Sequence, residues 1–418
     1  MPPTKTSNAV TRRDTCRLCG SRNRELVLPL AATPSGEDYV TADQLSQPQE
    51  LFPMDLFLCR DCGHAEFPDV INPDLLYRDY KYQTSISLGL VEHFGRYADA
   101  VLAAVQPKAG SLVMDVGSND GSLLKFFKAR GHRVLGVDPA TAVAGKATKG
   151  GVETLPTYFT AQLARQLRAQ RGPAAILTAN NVFANIDNLA DFAAAVREML
   201  APDGVFVFET SYLLDVLPKM LIETFFHEHL SYFSVKPLQA YFRRHGMELF
   251  DIQRVATKGG SIRGFVQLAG ASRPVKPAVA EQIALEGKAG VGRPDTYRAC
   301  HERVNGIKNE LHRRITDWKK QGKVVAGYGA SVGVTTLLFQ FELGELLEFL
   351  VDDNPIRHGL YSPGHHLPVL PSDALYSRKA DYVVVLAWAY LDPIRKKHQK
   401  FTEQGGRFVA PLPKVQVV

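Results

Sequence analysis

The sequence predicts an α/β protein in which a small cysteine-bearing N-terminal module precedes two Rossmann-like domains. Four of the five cysteines lie between residues 16 and 62, in a turn-rich stretch. Downstream, short apolar runs alternate with helical patterns twice, over residues 106–250 and again over 321–418. Such alternation is typical of parallel sheets flanked by helices. We therefore predict domains over 1–75, 76–250 and 251–418.

Composition supports a globular protein of more than one domain. The 418 residues exceed what one core normally holds, and 22% charged with 45% hydrophobic residues is an ordinary balance. No apolar run is long enough for a membrane span, and the N-terminus has no secretory pattern, so we expect a cytoplasmic protein without membrane contact. The net charge of +6 includes no dense basic block, so binding to nucleic acid is not indicated.

The N-terminal cysteines form two CxxC pairs, Cys16-Arg-Leu-Cys19 and Cys59-Arg-Asp-Cys62. Each such turn directs two thiolates to one point, and four thiolates complete a tetrahedral zinc site without an open position. We predict structural Zn²⁺ bound by Cys16, Cys19, Cys59 and Cys62. The alternative is four reduced cysteines with no common role.

The second domain has the pattern of an open α/β sheet. Its predicted strands and helices are, in chain order, a helix at 88–105, a strand at 112–115, a helix at 122–129, and strands at 133–138, 175–179 and 205–209.

The loop Asp115-Val-Gly-Ser-Asn-Asp-Gly121 follows the first strand of this domain and precedes a helix. Its glycines permit a tight turn, and Asp138, 23 residues after Asp115, lies where an acid bonds ribose hydroxyls. Acidic residues beside the turn favour a cationic, phosphate-free ligand, and S-adenosylmethionine (SAM) is one. A dinucleotide site and a purely structural turn are the alternatives. The predicted SAM-binding residues are Asp115, Gly117, Ser118, Asn119, Gly121, Asp138, Asn180 and Asn181.

The most unusual stretch is Glu223-Thr-Phe-Phe-His-Glu-His229, followed by Leu-Ser-Tyr-Phe233. Neighbouring His side chains in an extended segment diverge, which disfavours a shared metal. Acid–base chemistry is the alternative, because a histidine titrates near neutral pH and suits proton removal next to a ketone. A satisfied polar cluster is the third interpretation.

From residue 321 the third domain has a second α/β pattern, which starts with a strand into a glycine turn at Lys323–Gly329, and the turn has the sequence Gly327-Tyr-Gly-Ala-Ser-Val-Gly333. With Asp352 and Asp353 some twenty residues on, the turn is similar to an NAD fingerprint. A phosphate at the helix N-terminus and a packing role for the glycines are the alternatives. The other predicted elements are strands at 264–268, 346–352, 381–386 and 407–410 and a helix at 295–320.

Taken together and in this order, these motifs resemble those of the nucleotide-sugar C-3 methyltransferases, which act on 4-keto deoxysugars linked to a nucleotide such as dTDP. The similarity spans nearly the whole chain. It includes the cysteine module, Tyr-x-Tyr-x-x-Ser, Val-Gly-Ser-Asn-Asp-Gly, Asn-Asn-Val-Phe-Ala, His-Glu-His-Leu-Ser-Tyr-Phe, Gly-Gly-Ser-Ile-Arg and Gly-Tyr-Gly-Ala.

The resemblance implies a role for each of several residues. His229 would remove the C-3 proton, Glu228 would anchor the sugar, and Tyr82 would join them in the catalytic site. A small sugar-nucleotide substrate would contact the C-terminal domain, and we expect the enzyme to be a monomer. The residues implied in substrate binding are Tyr80, Ser85, Asn185, Phe226, Lys258, Arg263 and Tyr328.

Two residues depart from the family pattern. Phe226 and Asn185 stand where the family commonly has Tyr and His, so a hydroxyl and an imidazole are missing on the acceptor side. A methyltransferase of the same architecture with another sugar position or a non-sugar acceptor is therefore an alternative. A zinc-containing nucleic-acid-binding protein is another. It requires a basic surface around the cysteines, and the sequence offers only Arg12, Arg13, Arg17, Arg22, Arg24 and Arg60.

Overall fold

The computed structural model describes residues 9–78, 83–86 and 89–418. Its contacts divide the chain into two compact units that are both discontinuous in sequence. Unit 1 contains Met1–Glu25, Leu58–Leu214 and Leu230–Gly292, and unit 2 contains Leu26–Phe57, Asp215–His229 and Arg293–Val418. No helix among these described residues has the length and apolar character needed to cross a membrane.

The N-terminal region is built from short strands. The elements are β1 (Val10–Arg12), β2 (Arg24–Leu28), β3 (Leu56–Cys59), β4 (Ala65–Glu66), β5 (Asp69–Ile71) and helix α1 (Pro73–Tyr77). β1 pairs antiparallel with β5, and β3 lies between β2 and β4 in a second small sheet. Asn72 caps α1 by accepting the backbone N–H of Asp74, and Pro73 occupies the first helical position, where its missing N–H costs nothing.

The central region alternates helices and strands. The elements are α2 (Leu90–Val105), β6 (Leu112–Val116), α3 (Ser122–Ala129), β7 (Arg133–Val137), α4 (Thr141–Lys149), β8 (Thr154–Leu155), α5 (Ala161–Arg171), β9 (Ala174–Asn180), α6 (Leu189–Met199), β10 (Leu200–Ser211), α7 (Leu213–Lys219), β11 (Ser231–Tyr232), α8 (Val235–Arg244), β12 (Met247–Val255), β13 (Ser261–Leu268) and α9 (Pro277–Ala289).

The main sheet of unit 1 has the strand order β12-β13-β10-β9-β6-β7-β8. β8, β7, β6, β9 and β10 run parallel, so their carboxyl ends meet at one edge, whereas β13 is antiparallel to both β10 and β12. All five residues of β6 are buried, as expected for a strand covered by helices on both faces. The predicted Rossmann-like fold is confirmed here.

The sheet extends beyond the boundary that we placed after residue 250. β12 crosses that position, and β13 lies between β12 and β10. The strand predicted at 264–268 thus belongs to this sheet and begins earlier, at Ser261. Only the pairing with β10, more than fifty residues earlier in the chain, assigns it there.

The C-terminal region contains a second α/β sheet. The elements are α10 (Pro294–Lys320), β14 (Val325–Tyr328), α11 (Val332–Gln340), β15 (Leu350–Asp352), β16 (Val369–Pro371), α12 (Ala374–Ser377), β17 (Tyr382–Val385), α13 (Leu391–Lys397), α14 (Gln399–Glu403), β18 (Arg407–Ala410) and β19 (Gln416–Val417). The strand order is β16-β15-β14-β17-β18-β19, parallel except for β19. The chain leaves β14 to one side and later returns to the other, which makes the carboxyl edge between β14 and β17 a topological switch point.

One predicted strand of this region is shorter than expected. The apolar run from 346 to 352 suggested a strand, but the first four of these residues precede β15. The backbone N–H groups of Leu346 and Leu347 instead bond the carbonyl of Leu343. These two N–H groups are bonded within a turn, so they are not available for hydrogen bonds to a neighbouring strand.

Candidate active site and zinc centre

The four N-terminal cysteines converge on one point. Their Sγ atoms all lie within 4.8 Å of one another, with Cys16 to Cys62 at 3.7 Å and Cys19 to Cys59 at 3.5 Å. A tetrahedral zinc with Zn–S bonds of about 2.3 Å has S–S edges of about 3.8 Å, so the cluster has the size of a zinc site. Four sulfur ligands are also the set that selects zinc over harder cations.

The loop between β6 and α3 is held tightly by its glycines. Gly117 and Gly121 have φ of 69° and 75°, in the left-handed region. A Cβ on Gly117 would lie 2.8 Å from Val182, and one on Gly121 would lie 2.9 Å from Val152. Only glycine satisfies both the backbone conformation and the close approach at these positions.

Two buried acids flank this loop. The Asp115 carboxyl accepts a hydrogen bond from the Thr178 hydroxyl at 2.6 Å, and burial raises the pKa of Asp115 to about 7. The Asp138 carboxylate accepts the backbone N–H groups of Asn119 at 2.8 Å and Ala140 at 2.9 Å. Burial raises the pKa of Asp138 as well, and these two N–H groups oppose the rise.

The segment before α2 is tied to the same loop. The Thr84 N–H donates to the Asn119 side chain, and the Ser85 N–H donates to the Asp120 carboxylate, both at 2.9 Å. Ser85, predicted to bind substrate, therefore lies beside the loop that is predicted to bind SAM. Tyr80 and Tyr82 are outside the described residues.

Unpartnered polar atoms lie at this edge of the sheet. The Ser118 hydroxyl and both side-chain amide atoms of Asn180 are buried and have no hydrogen-bond partner within the described residues. Asn181 adopts φ of 54°, and its N–H donates to the Glu209 carbonyl at 2.8 Å. Buried polar groups are normally satisfied, so Ser118 and Asn180 fit a polar ligand such as SAM. The Asn185 amide oxygen is likewise buried without a partner in the described chain.

A buried ionic cluster lies near the same carboxyl edge, and the sequence patterns did not reveal it. Glu209 of β10 accepts hydrogen bonds from Arg263 of β13 at 2.9 and 3.2 Å and from Thr257 at 3.0 Å, and its Oε1 lies 2.7 Å from His93 Nε2. Burial alone would raise the pKa of Glu209, but the hydrogen bond with His93 and the charge of Arg263 outweigh burial and lower it. Arg263 also lies 4.3 Å above the Tyr97 ring.

This cluster bears on two predicted substrate contacts. The Arg263 guanidinium, predicted to contact the substrate, is buried and bonded to Glu209. Lys258 lies in the 3₁₀ helix Thr257–Gly259 with an exposed side chain and φ of 51°. Both remain predictions as substrate ligands.

In unit 2, the segment that contains the predicted base has a defined local geometry. His229 Nδ1 lies 3.1 Å from the Thr224 carbonyl, which can only accept, so Nδ1 carries the proton in the neutral ring and Nε2 holds the lone pair. The Phe226 ring lies against the His229 ring, with centroids 4.0 Å apart. Glu228 and His229 are both buried.

His227 differs from His229 in its environment. Its Nε2 lies 3.1 Å from the Phe52 carbonyl, and burial lowers the pKa of His227 to about 4. The ring is therefore neutral at pH 7, and its Nε2–H donates a hydrogen bond to the Phe52 carbonyl. That arrangement is typical of a structural histidine.

The glycine turn after β14 is stabilised by side chains of its own unit. Gly329 adopts φ of 119°, and Asp352 accepts the Ala330 N–H at 2.6 Å. The Tyr328 hydroxyl donates to Asp353 at 2.9 Å and lies 3.2 Å from His398 Nε2. Tyr328, predicted to contact substrate, is only 3% exposed and is bonded within this network.

Comparison with known proteins assigns the chain to a family. Family models match a zinc binding domain over residues 16–77, a methyltransferase domain over 91–251 and a C-methyltransferase C-terminal domain over 256–413. C-methyltransferase NovU of Streptomyces niveus is 34% identical over 406 residues, which is 97% of each chain. The chain belongs to the C-methyltransferase family. This C-methyltransferase is thus a SAM-dependent enzyme with a zinc-binding module, as the sequence predicted.

Solved structures are similar to part of the C-methyltransferase. A SAM-dependent methyltransferase from Clostridium acetobutylicum is 14% identical, with a TM-score of 0.36 over 43% of this chain and 92% of that one. The CcbJ methyltransferase of Streptomyces caelestis is 17% identical, with a TM-score of 0.34 over 42% and 90% of the two chains. Because these TM-scores are low, the family is assigned from the family models and from the similarity to NovU.

Proposed function

We propose that this C-methyltransferase acts on a nucleotide-linked 4-keto deoxysugar and transfers a methyl group to carbon 3. The order of motifs along the chain, which resembles that of the nucleotide-sugar C-3 methyltransferases, supports the substrate class. The observation that carries the mechanism is the hydrogen bond between His229 and the Thr224 carbonyl, because it leaves a lone pair on Nε2 of an oriented ring.

The chemistry requires a base at a carbon next to a ketone. His229 Nε2 takes the C-3 proton, and the electrons of the broken C–H bond form an enolate with the C-4 oxygen. Glu228 holds the sugar so that C-3 faces the base. When bound, SAM supplies an activated methyl group, so the protein contributes mainly binding and alignment.

The residues proposed to hold SAM surround the loop between β6 and α3. Asp138 would bond the ribose. Asn180 and Ser118 have buried polar atoms without a hydrogen-bond partner in the described chain, and Asp115, bonded to Thr178, is in the strand that leads into the loop. The bound donor carries positive charge on sulfur and nitrogen, and the Asp138 carboxylate would complement it.

Incubation with SAM and a 4-keto-6-deoxyhexose nucleotide tests the proposal. Mass spectrometry should show a gain of one methyl group, and NMR should place it on C-3. In deuterated water, with S-adenosylhomocysteine in place of SAM, the enzyme should exchange the C-3 proton. No exchange and no methylated product would refute the proposed substrate.

Two histidine variants test the base. His229→Asn should abolish C-3 exchange and turnover while SAM still binds, as measured by calorimetry. His227→Asn is the matched control on the same segment and should retain exchange. Normal exchange by His229→Asn would mean that another group removes the proton.

Phe226 and Asn185 support one alternative. The nucleotide-sugar C-3 methyltransferases that the chain resembles commonly have Tyr and His at these positions, so a hydroxyl and an imidazole are missing here. Their loss favours methylation of a different sugar carbon or of another acceptor of the same general chemistry. A methyl group found at another position of the sugar would support this alternative and exclude the C-3 assignment.

A further inference from the structure

A carboxyl group in unit 2 has no role in the function proposed so far. Glu223 lies in the 3₁₀ helix Ile222–Thr224, directly before the segment that carries Glu228 and His229. Its Oε2 atom is buried and has no hydrogen-bond partner in the described part of the chain. A buried carboxyl oxygen without a partner is rare in proteins, and such groups often serve a ligand or the chemistry.

Glu223 lies at the ligand-binding edge of the C-terminal sheet. Its backbone packs on the first turn of α11, where a Cβ on Gly333 would lie 2.7 Å from the Glu223 carbonyl oxygen. Trp388 follows β17 across the switch point, and its indole N–H lies close enough to the Glu223 carboxyl to oppose the rise in its pKa. The two groups do not reach ordinary hydrogen-bond geometry, so both remain buried without a hydrogen bond among the described residues. Open α/β sheets bind their ligands at this edge.

The surroundings of Glu223 favour the neutral acid. Burial raises the pKa of Glu223 to about 7, and only its own backbone and Trp388 oppose the rise. Within the described chain, no charged side chain contributes to this shift. The packed residues Gly333 and Trp388 bring no titratable group. On the same segment, the titratable groups are His227, Glu228 and His229.

We propose that Glu223, in its protonated form, contacts the substrate and donates a hydrogen bond to the keto oxygen that becomes the enolate. This inference rests on the proposed function. Thr224, the next residue, holds the His229 ring through its carbonyl, so this acid is adjacent in the chain to the residue that orients the base. Phe226, between them, has no hydroxyl to offer the same bond.

The hydrogen bond strengthens as charge develops. His229 takes the C-3 proton, the C–H electrons form the C-3 to C-4 double bond, and the carbonyl π electrons move to oxygen. Glu223 keeps its proton and shares it with that oxygen. When C-3 bonds the methyl carbon, the methyl–sulfur bond breaks, the ketone re-forms and S-adenosylhomocysteine leaves. A neutral carboxylic acid is an effective donor to such an oxyanion in a site shielded from water.

C-3 exchange in deuterated water, with S-adenosylhomocysteine bound and a 4-keto-6-deoxyhexose nucleotide as substrate, tests this role. Glu223→Ala should lower the exchange rate by about 10²–10³-fold, the usual loss of one oxyanion donor. Glu223→Gln keeps a neutral N–H donor of similar size and should stay within about tenfold of the wild type. SAM affinity and melting temperature, measured on both variants, confirm folding.

The pH profile separates chemistry from a structural role. Only the protonated acid donates, so wild-type exchange should fall as the pH rises above about 7. Glu223→Gln has no proton to lose at this position, so its rate should not fall there. An unchanged alkaline limb in Glu223→Gln, or normal exchange in Glu223→Ala, would overturn the inference. If Glu223→Ala does not fold, the pH profile of C-3 exchange in Glu223→Gln alone tests the role of Glu223.

The two proposals fail in different ways. If the wild-type enzyme exchanges C-3 and the Glu223 variants exchange equally well, only the role of Glu223 is wrong. If the wild type neither exchanges nor methylates the 4-keto sugar nucleotide, the proposed function fails, and the role of Glu223 fails with it.

Discussion

Burial sets the charge of Asp115 and so links this residue to the pH dependence of stability. Its folded pKa of about 7 lies above the value near 4 of an unfolded aspartate. Between these values the folded state holds a proton that the unfolded chain has lost. The free energy of unfolding that Asp115 contributes therefore falls as pH rises from about 4 to about 7.

Asp115→Asn should remove this dependence. Urea unfolding at pH 4.5 and 7.5 should show a smaller loss of stability in the variant than in the wild type, by on the order of 2–4 kcal/mol. Comparing the stability loss of the wild type with that of the variant gives the contribution of Asp115 alone, because Glu223 titrates in both proteins and its effect cancels. Equal losses in wild type and variant would mean that Asp115 is ionised in the folded enzyme at neutral pH.

A second prediction for individual residues concerns the buried ion pair between Glu209 and Arg263. Arg263→Met would leave Glu209 buried beside His93 without its strongest cation. Removing one partner of a buried pair typically costs about 3–5 kcal/mol. Urea unfolding at pH 7 should show that loss, whereas Arg165→Met, at an exposed position of α5, should change stability by less than about 0.5 kcal/mol. A similar small change in both variants would contradict the inferred importance of the pair.

The N-terminal module is too small to be stabilised by a core of its own, so we expect its stability to depend on bound zinc. Its strands have two to five residues, too few to form a stable core, and the cysteines join β3 to a turn forty residues earlier. Chelation, or Cys16→Ala, should release zinc and lower the melting temperature, because metal binding is coupled to folding. Cys300→Ala, in α10, should keep full zinc content. An unchanged melting curve after verified zinc loss would rule out a structural role.

The discontinuous units predict how the chain tolerates truncation. A fragment of residues 1–250 cuts β12 and removes β13, which leaves the edge of β10 open. We expect this fragment to aggregate and to lose SAM binding. A fragment of residues 1–292 retains β12, β13 and α9 and should bind SAM in calorimetry. If the shorter fragment folds and binds SAM equally well, β13 is dispensable to the sheet.

Local patterns predicted much of the fold because their causes are local. Helix α3 begins at the predicted residue, directly after a glycine in the left-handed conformation. Helix α10 begins one residue before the prediction, at Pro294, and its buried residues recur every three or four positions from Pro294 to Ile315. The strand predicted at 346–352 was partly wrong, because the N–H groups of its first two residues are hydrogen-bonded in a turn and β15 begins only at Leu350.

The candidate site was less predictable, because its contacts join distant residues. Arg263 is implied by the sequence resemblance as a substrate ligand, yet the carboxylate to which it is bonded lies 54 residues earlier. Glu209 becomes its neighbour only when β10 and β13 align. The buried Glu223 Oε2, without a hydrogen bond in the described part of the chain, is also invisible in sequence, because burial and partners depend on how the chain packs.

The sequence by itself determined the four-cysteine cluster, the glycine loop after β6, the alternating α/β pattern and the family, since each depends on residue type and short spacing. Tertiary structure alone decided that β13 completes the first sheet, that Arg263 faces Glu209, and that Asp115 and Glu223 are buried enough to hold protons near neutral pH. Pairing and burial arise only when distant segments meet, and both set the hydrogen bonds and charges on which the chemistry depends.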